Sequence, residues 1–256
     1  MNFKIIHNRF ISYTSSFLNN DDTNAHALKF KHSILVSNLA RTIAEKEHFT
    51  KQQIENSAIC GLLHDIGRFE QFEKYKTFND KQSEDHAALS AKIIREQKMI
   101  ADLSQTAQKS ILTAIELHNK HTIPVTQLDE STRILAQTIR DADKLDILRI
   151  MVEEQKNPKL DTNTLFLNQK AKNNYSSAIT QAIMENKLAN LDDMSTSEDF
   201  RLIQLSWIFD INFASSFELL HQKNYIYQLI EQLPAQEKIK QEIAHILKTI
   251  KSHVHI

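Results

Sequence analysis

Four histidines and two aspartates within the first 143 residues have the types to hold a metal: His32, the adjacent pair His64 and Asp65, His86, His118 and Asp143. Neutral imidazole and carboxylate are ligands for borderline and hard divalent ions, so this thiolate-free set suits iron, manganese or zinc, and copper less naturally. Cys60 is the only cysteine. That excludes an internal disulfide and a thiolate cage, and it fits a reducing compartment.

Positioning these side chains is work for helices. From about Ala25 to Lys46 the series His32, Leu35, Leu39, Ile43 recurs at three- and four-residue steps, which puts His32 on an apolar stripe. Thr50 to Gln53 reads as a capping box that opens a second helix, running through Ile54, Ala58 and Leu62 toward His64 and ended by Gly67. Adjacent residues cannot share one helical stripe, but at a helix end His64 and Asp65 can both turn toward one ion. A polar stretch from Glu73 to Glu84 reads as a loop. A helix with His86, Leu89, Ile93 and Ile94 inward follows, then another from Gln105 to His118, and a connection containing Pro124. Between about Glu130 and Glu154, Thr132, Ala136, Ile139, Asp143, Ile147 and Ile150 share a face, so the Asp143 carboxylate lies on an apolar stripe and needs a partner.

The rest of the chain is helical by the same pattern. A connector from Asn157 to Asn168 precedes a helix near Gln169 to Leu188. Ser195 to Glu198 reads as a capping box for a helix ending near His221, and a last helix covers about Ala235 to Ser252. Only 2 glycines and 3 prolines occur in 256 residues, where usage of about 7% glycine is ordinary. Gly61 and Gly67 flank His64 and Asp65, which concentrates glycine's backbone freedom there. The expected fold is all-α: one helical domain over residues 1–256, with a core at about 25–150 and a helical extension at about 157–256.

At this point the residues carry a family resemblance. The string His64-Asp65-Ile66-Gly67-Arg68, with His32 upstream and Asp143 downstream, resembles the HD-domain superfamily of metal-dependent phosphohydrolases over roughly Ala25 to Ile150. With His86 and His118 added, the order H…HD…H…H…D resembles its binuclear branch, which includes cyclic-dinucleotide and cyclic-nucleotide phosphodiesterases and mixed-valent di-iron oxygenases. The resemblance implies two divalent ions, iron, manganese or zinc. His32, His64, Asp65 and Asp143 would hold one, and Asp65 would bridge to a second held by His86 and His118. Two such ions lower the pKa of a water between them and clamp a phosphoryl oxygen.

Asp65, Arg68 and Lys144 are the catalytic candidates. Arg68 stands where that branch often has lysine, and a guanidinium binds phosphate bidentately. Lys144 follows Asp143 in Arg140-Asp141-Ala142-Asp143-Lys144-Leu145-Asp146 and is a second group for neutralising substrate charge, with Asp146 as its alternative partner. The chain lacks the Gly-Tyr-Pro string and paired histidines of cyclic-di-GMP phosphodiesterases, and Arg68-Phe69 replaces the Glu-Asp of alarmone hydrolases.

Other features are read as structural. His121 is expected at the surface. His7, His26, His48, His221, His245, His253 and His255 have no partner at ligand spacing, and the stretch Ile203 to Phe217 around Trp207 closes a core as part of one helix. Lysine plus arginine nearly balance aspartate plus glutamate, 31 against 32, and no basic block suggests a nucleic-acid or membrane surface. No run approaches the roughly 18 apolar residues that span a bilayer, and residues Met1 to Asn20 do not read as a signal peptide, so a cytoplasmic location is expected. No phosphate loop, Rossmann or serine-hydrolase motif occurs. The expected activity is hydrolysis of a small phosphomonoester or phosphodiester, nucleotides included. A di-iron oxygenase and a non-catalytic nucleotide-binding module are the alternatives.

Overall fold

A computed structural model describes residues 2–19, 24–156 and 174–253. Among these residues there is no strand, and the fold is all-α. The chain divides into two compact units, Met1–Asp146 and Ile147–Ile256.

The helices that shape the first unit are α1 (Asn2–Leu18), α2 (Ala25–Lys46), α3 (Lys51–Leu63), α4 (Gly67–Tyr75), α5 (His86–Glu96), α6 (Gln105–Leu117) and the part of α7 (Glu130–Lys156) up to Asp146. Helix α2 packs along α3, α3 touches α6, and α4, α5 and α6 pack in succession. Their common core includes Ile59, Leu62, Leu63, Ile66, Phe69, Ile93, Ile94, Ile111, Ile115 and Ile139. Helix α1 adds Ile6 and Phe10 to that core, and its buried face, Ile6, Phe10 and Thr14, repeats every four residues. Histidine and arginine lie between Ile6 and Phe10, and the short apolar stretches hide this period in the sequence.

The Thr50 capping box forms as expected, with the Thr50 side chain accepting from Gln53 and Gln53 reaching back. Gly67 is a correction. Helix α3 stops at Leu63, and Gly67 is instead the first residue of α4. Neither glycine adopts positive φ. What glycine provides here is close approach: a Cβ at Gly61 would lie 2.8 Å from Ser37 Cα on α2, and one at Gly67 2.6 Å from the His86 carbonyl oxygen on α5. The expected polar loop is also shorter, because α4 runs to Tyr75 and a 3-10 turn occupies Asp80–Gln82.

The second unit contains α8 (Ser177–Met184), α9 (Ser197–Leu205), α10 (Ala214–Lys223), α11 (Tyr225–Glu231) and α12 (Lys240–His253). Its buried side chains include Ile179, Ile183, Leu202, Leu205, Ile208, Leu220, Leu229, Ile246 and Ile250. The connector at 157–168 and the start of the helix expected from Gln169 lie outside the described residues. The capping box falls one residue later than expected, on Thr196 with Asp199. The single helix expected to reach His221 is broken, because the Ser206 hydroxyl bonds back to the Ile203 carbonyl and takes the Ala189 N–H. A 3-10 turn at Ser206–Asp210 carries Trp207, and α10 restarts at Ala214. The last α-helix begins at Lys240 rather than Ala235, which sits at φ 49° ahead of a 3-10 turn.

Candidate metal centre

Helix ends position most of the donors. His64 caps the C-terminus of α3 and His118 that of α6, so each ring lies beside the carbonyls of the last helical turn. His64 Nδ1 lies 2.9 Å from the Gly61 carbonyl oxygen, and His118 Nδ1 lies 2.7 Å from that of Ile115. A carbonyl only accepts, so both Nδ1 atoms donate, and both Nε2 atoms turn inward. His86 opens α5 behind the Asp85 N-cap, and its Nδ1 lies 2.6 Å from Asp80 Oδ2. His32, in mid-α2, has Nδ1 2.7 Å from Asp146 Oδ2. Ring nitrogens held this way are the usual support behind histidine ligands of metals.

The inward atoms converge around Asp65. His32 Nε2 is 3.2 Å from His64 Nε2 and 3.0 Å from Asp143 Oδ1, and His64 Nε2 is 3.5 Å from the same oxygen. Asp65 Oδ2 faces this group, 3.6 Å from His32 Nε2 and 3.7 Å from His64 Nε2. Asp65 Oδ1 faces the other pair, 3.4 Å from His86 Nε2 and 3.8 Å from His118 Nε2, which themselves stand 3.1 Å apart. Donors bound to one ion at about 2.0–2.2 Å stand roughly 3–3.5 Å apart. The spacing therefore fits groups that can hold a divalent metal.

Electrostatics agrees with that fit. Burial and the neighbouring His86 and His64 push His118 down to about 3, so no proton fills the gap between the facing Nε2 atoms. His86 is lowered by burial and by the Arg68 charge. Burial opposes ionisation of Asp65, yet Lys29, His64, Arg68 and His86 together hold its carboxyl well below the usual range. Burial works against the Asp143 carboxylate too, but hydrogen bonds from His32 and His64 bring it well below that range. His32 is the exception among the rings. Burial disfavours its charge, but the carboxylates of Asp143 and Asp146 raise it to about 9.

Arg68 borders the centre, with Nε 3.5 Å from Asp65 Oδ1 and Nη2 3.3 Å from His86 Nε2. Its Nη1 donates to Gln71 Oε1, the Phe78 carbonyl and Asp80 Oδ1 at 2.6–2.9 Å. Lys144 is buried on α7 directly after Asp143. Sequence reasoning missed Lys29, whose Nζ lies 2.7 Å from Asp65 Oδ2, although it sits one helical turn before His32. It also missed Asp80, six residues before His86 in a stretch read as featureless loop. Asp146, considered only as a partner for Lys144, holds His32. His121 is exposed, and its carbonyl accepts from Arg140, which also binds the carbonyls of His118 and Lys120.

Residues 30–148 match the HD-domain family. The match covers the segment that carries every donor described above, and it supports the HD superfamily, whose members are mostly metal-dependent hydrolases. No curated protein and no solved structure is significantly similar to the chain. Among the described residues, no helix is long and apolar enough to cross a membrane.

Proposed function

We propose that the protein is a binuclear metal-dependent phosphohydrolase acting on a small phosphomonoester or phosphodiester, with nucleotides among its candidate substrates. One observation carries the reading: the two oxygens of Asp65 face different donor groups, His32, His64 and Asp143 on one side and His86 and His118 on the other. His32, His64, Asp65 and Asp143 would hold one ion, and Asp65, His86 and His118 the second, with manganese, iron or zinc matching the donors. The chemistry that such a pair supplies when bound is Lewis acidity toward a phosphoryl oxygen and toward water.

The residues of the chain do the rest. Asp65 stays ionised despite burial, and the imidazoles, at most 6% exposed, keep bulk water away from the reacting centre. Arg68, beside His86, and Lys144, buried directly after Asp143 in the chain, oppose the charge of an anionic substrate.

The test is metal content of protein purified without chelator, together with hydrolysis of a generic phosphomonoester and phosphodiester in added manganese. About two metals per chain and ester cleavage that vanishes in Asp65→Ala are the expected results. Two irons with oxygen consumption and no hydrolysis would replace this reading by an oxygenase. Intact metal with tight nucleotide binding and no turnover would replace it by a binding module.

A further inference from the structure

We propose that Lys29 is the substrate-anion anchor of this centre, its ammonium binding a phosphoryl oxygen once Asp65 is engaged by metal. The inference deepens the phosphohydrolase reading and rests on it for the nature of the substrate.

Exposure shows where a substrate can enter. The four imidazoles and Asp65 are at most 6% exposed, whereas Asp143 is 18% exposed, Lys29 14% and Arg68 13%. An incoming anion therefore meets the side of the centre framed by these three side chains. Asp143 repels it, and Lys29 and Arg68 are the cations among these three.

Lys29 and Arg68 are not equivalent. Each sits by one oxygen of Asp65, Lys29 at Oδ2 and Arg68 at Oδ1, and each lies over the Phe78 ring, 5.2 Å and 5.8 Å from its centroid. Arg68, however, spends Nη1 on three protein acceptors that belong to the scaffold, Gln71, the Phe78 carbonyl and Asp80. Through those bonds Arg68 holds the Phe78 and Asp80 segment against the centre. Lys29 instead uses Asp65 Oδ2, an oxygen that faces the His32 and His64 donors. Coordination of that oxygen takes away most of the negative charge that the ammonium pairs with. A half-buried ammonium left short of negative charge is costly, and a phosphoryl oxygen arriving at the same face restores it. The Phe78 ring keeps the lysine stem in place meanwhile.

The experiment compares wild type with Lys29→Met and Lys29→Arg, each loaded with manganese, and measures manganese affinity, binding of inorganic phosphate by calorimetry, and kcat and KM on p-nitrophenyl phosphate. Lys29→Met is expected to bind manganese at least as tightly as wild type, because a competitor for Asp65 is gone, and to bind phosphate at least tenfold more weakly. KM should rise, and Lys29→Arg should recover most of the phosphate affinity. Loss of manganese in Lys29→Met, or unchanged phosphate binding, overturns the proposal, as does failure of loaded wild type to bind phosphate at all. If wild type binds phosphate and Lys29→Met does not, while neither cleaves any ester, the anchor stands and the phosphohydrolase reading falls.

Discussion

His86 Nε2 and His118 Nε2 face each other across 3.1 Å, while the Nδ1 atom of each ring is committed to Asp80 and to the Ile115 carbonyl. With His118 pushed down to about 3 and His86 lowered as well, two lone pairs confront each other inside the protein. A divalent cation between them resolves that repulsion. His118→Ala removes one of only two imidazoles on this side of Asp65. Elemental analysis should show about one metal per chain in place of two, and ester hydrolysis should fall by about two orders of magnitude or more, the range of losses for a removed charge-stabilising group. A variant that still carries two metals would dissolve the assignment of His118.

His32 is the group expected to set the pH dependence of metal binding. Both its ring nitrogens lie by carboxylates, Nε2 at Asp143 and Nδ1 at Asp146, and these raise it to about 9 against the depressing effect of burial. Its contribution to the stability of the metal-free fold is thus fully present below the ordinary value near 6.5 and is lost as pH rises through about 9. Metal needs the Nε2 lone pair and must displace that proton. His118 is already neutral and releases none. Affinity for the first manganese should therefore climb about tenfold per pH unit between 6.5 and 8.5, with about one proton released per chain. Anaerobic calorimetry in buffers of different ionisation enthalpy measures both, and a flat profile would mean that Nε2 carries no proton.

The residues that the fold brings together around Asp65 were legible because their types are conspicuous where they stand: His32 and Asp143 interrupt apolar stripes, and His64-Asp65 falls at a helix end. The supports behind them were not. Asp80 reaches His86 from a 3-10 turn with no periodicity, Asp146 reaches His32 from a helix more than a hundred residues away, and Lys29 looks like any solvated lysine until Asp65 is placed beside it. The carbonyls that orient His64 and His118 leave no trace in side-chain identity at all. Gly67 misled for a related reason. Its role is set by the backbone of α5 packing against it, a tertiary contact, whereas the sequence suggested only local chain freedom.

Gly67 consequently couples packing to the centre. A methyl group there would lie 2.6 Å from the His86 carbonyl oxygen and 2.7 Å from Ser90 N, and the Gly67 N–H donates to Ser90 Oγ at 2.8 Å. Helix α5 must move away, taking His86 with it. Gly67→Ala should cost about 1–3 kcal/mol of stability, the range for overpacking, read by urea unfolding of the metal-free protein. The second metal should also bind more weakly while the first is nearly unaffected. Unchanged stability would show that α5 adjusts without strain.

Asp80 and Asp146 allow the two halves to be perturbed separately. Asp146 Oδ2 accepts from His32 Nδ1, and Asp80 Oδ2 accepts from His86 Nδ1 while its Oδ1 takes Arg68 and Gln71. Replacement of either carboxylate by the isosteric amide keeps the shape but removes the charge that makes the ring a better donor, a change that typically weakens metal binding about 10–100-fold. Asp146→Asn should act on the ion held with His32, and Asp80→Asn on the ion held with His86 and His118. Asp80→Asn should further loosen Arg68, whose guanidinium loses a charged partner. Manganese titrations that resolve two binding steps would locate each loss. Equal losses at both steps in either variant would show that the halves fill as one unit, coupled through the shared carboxylate of Asp65.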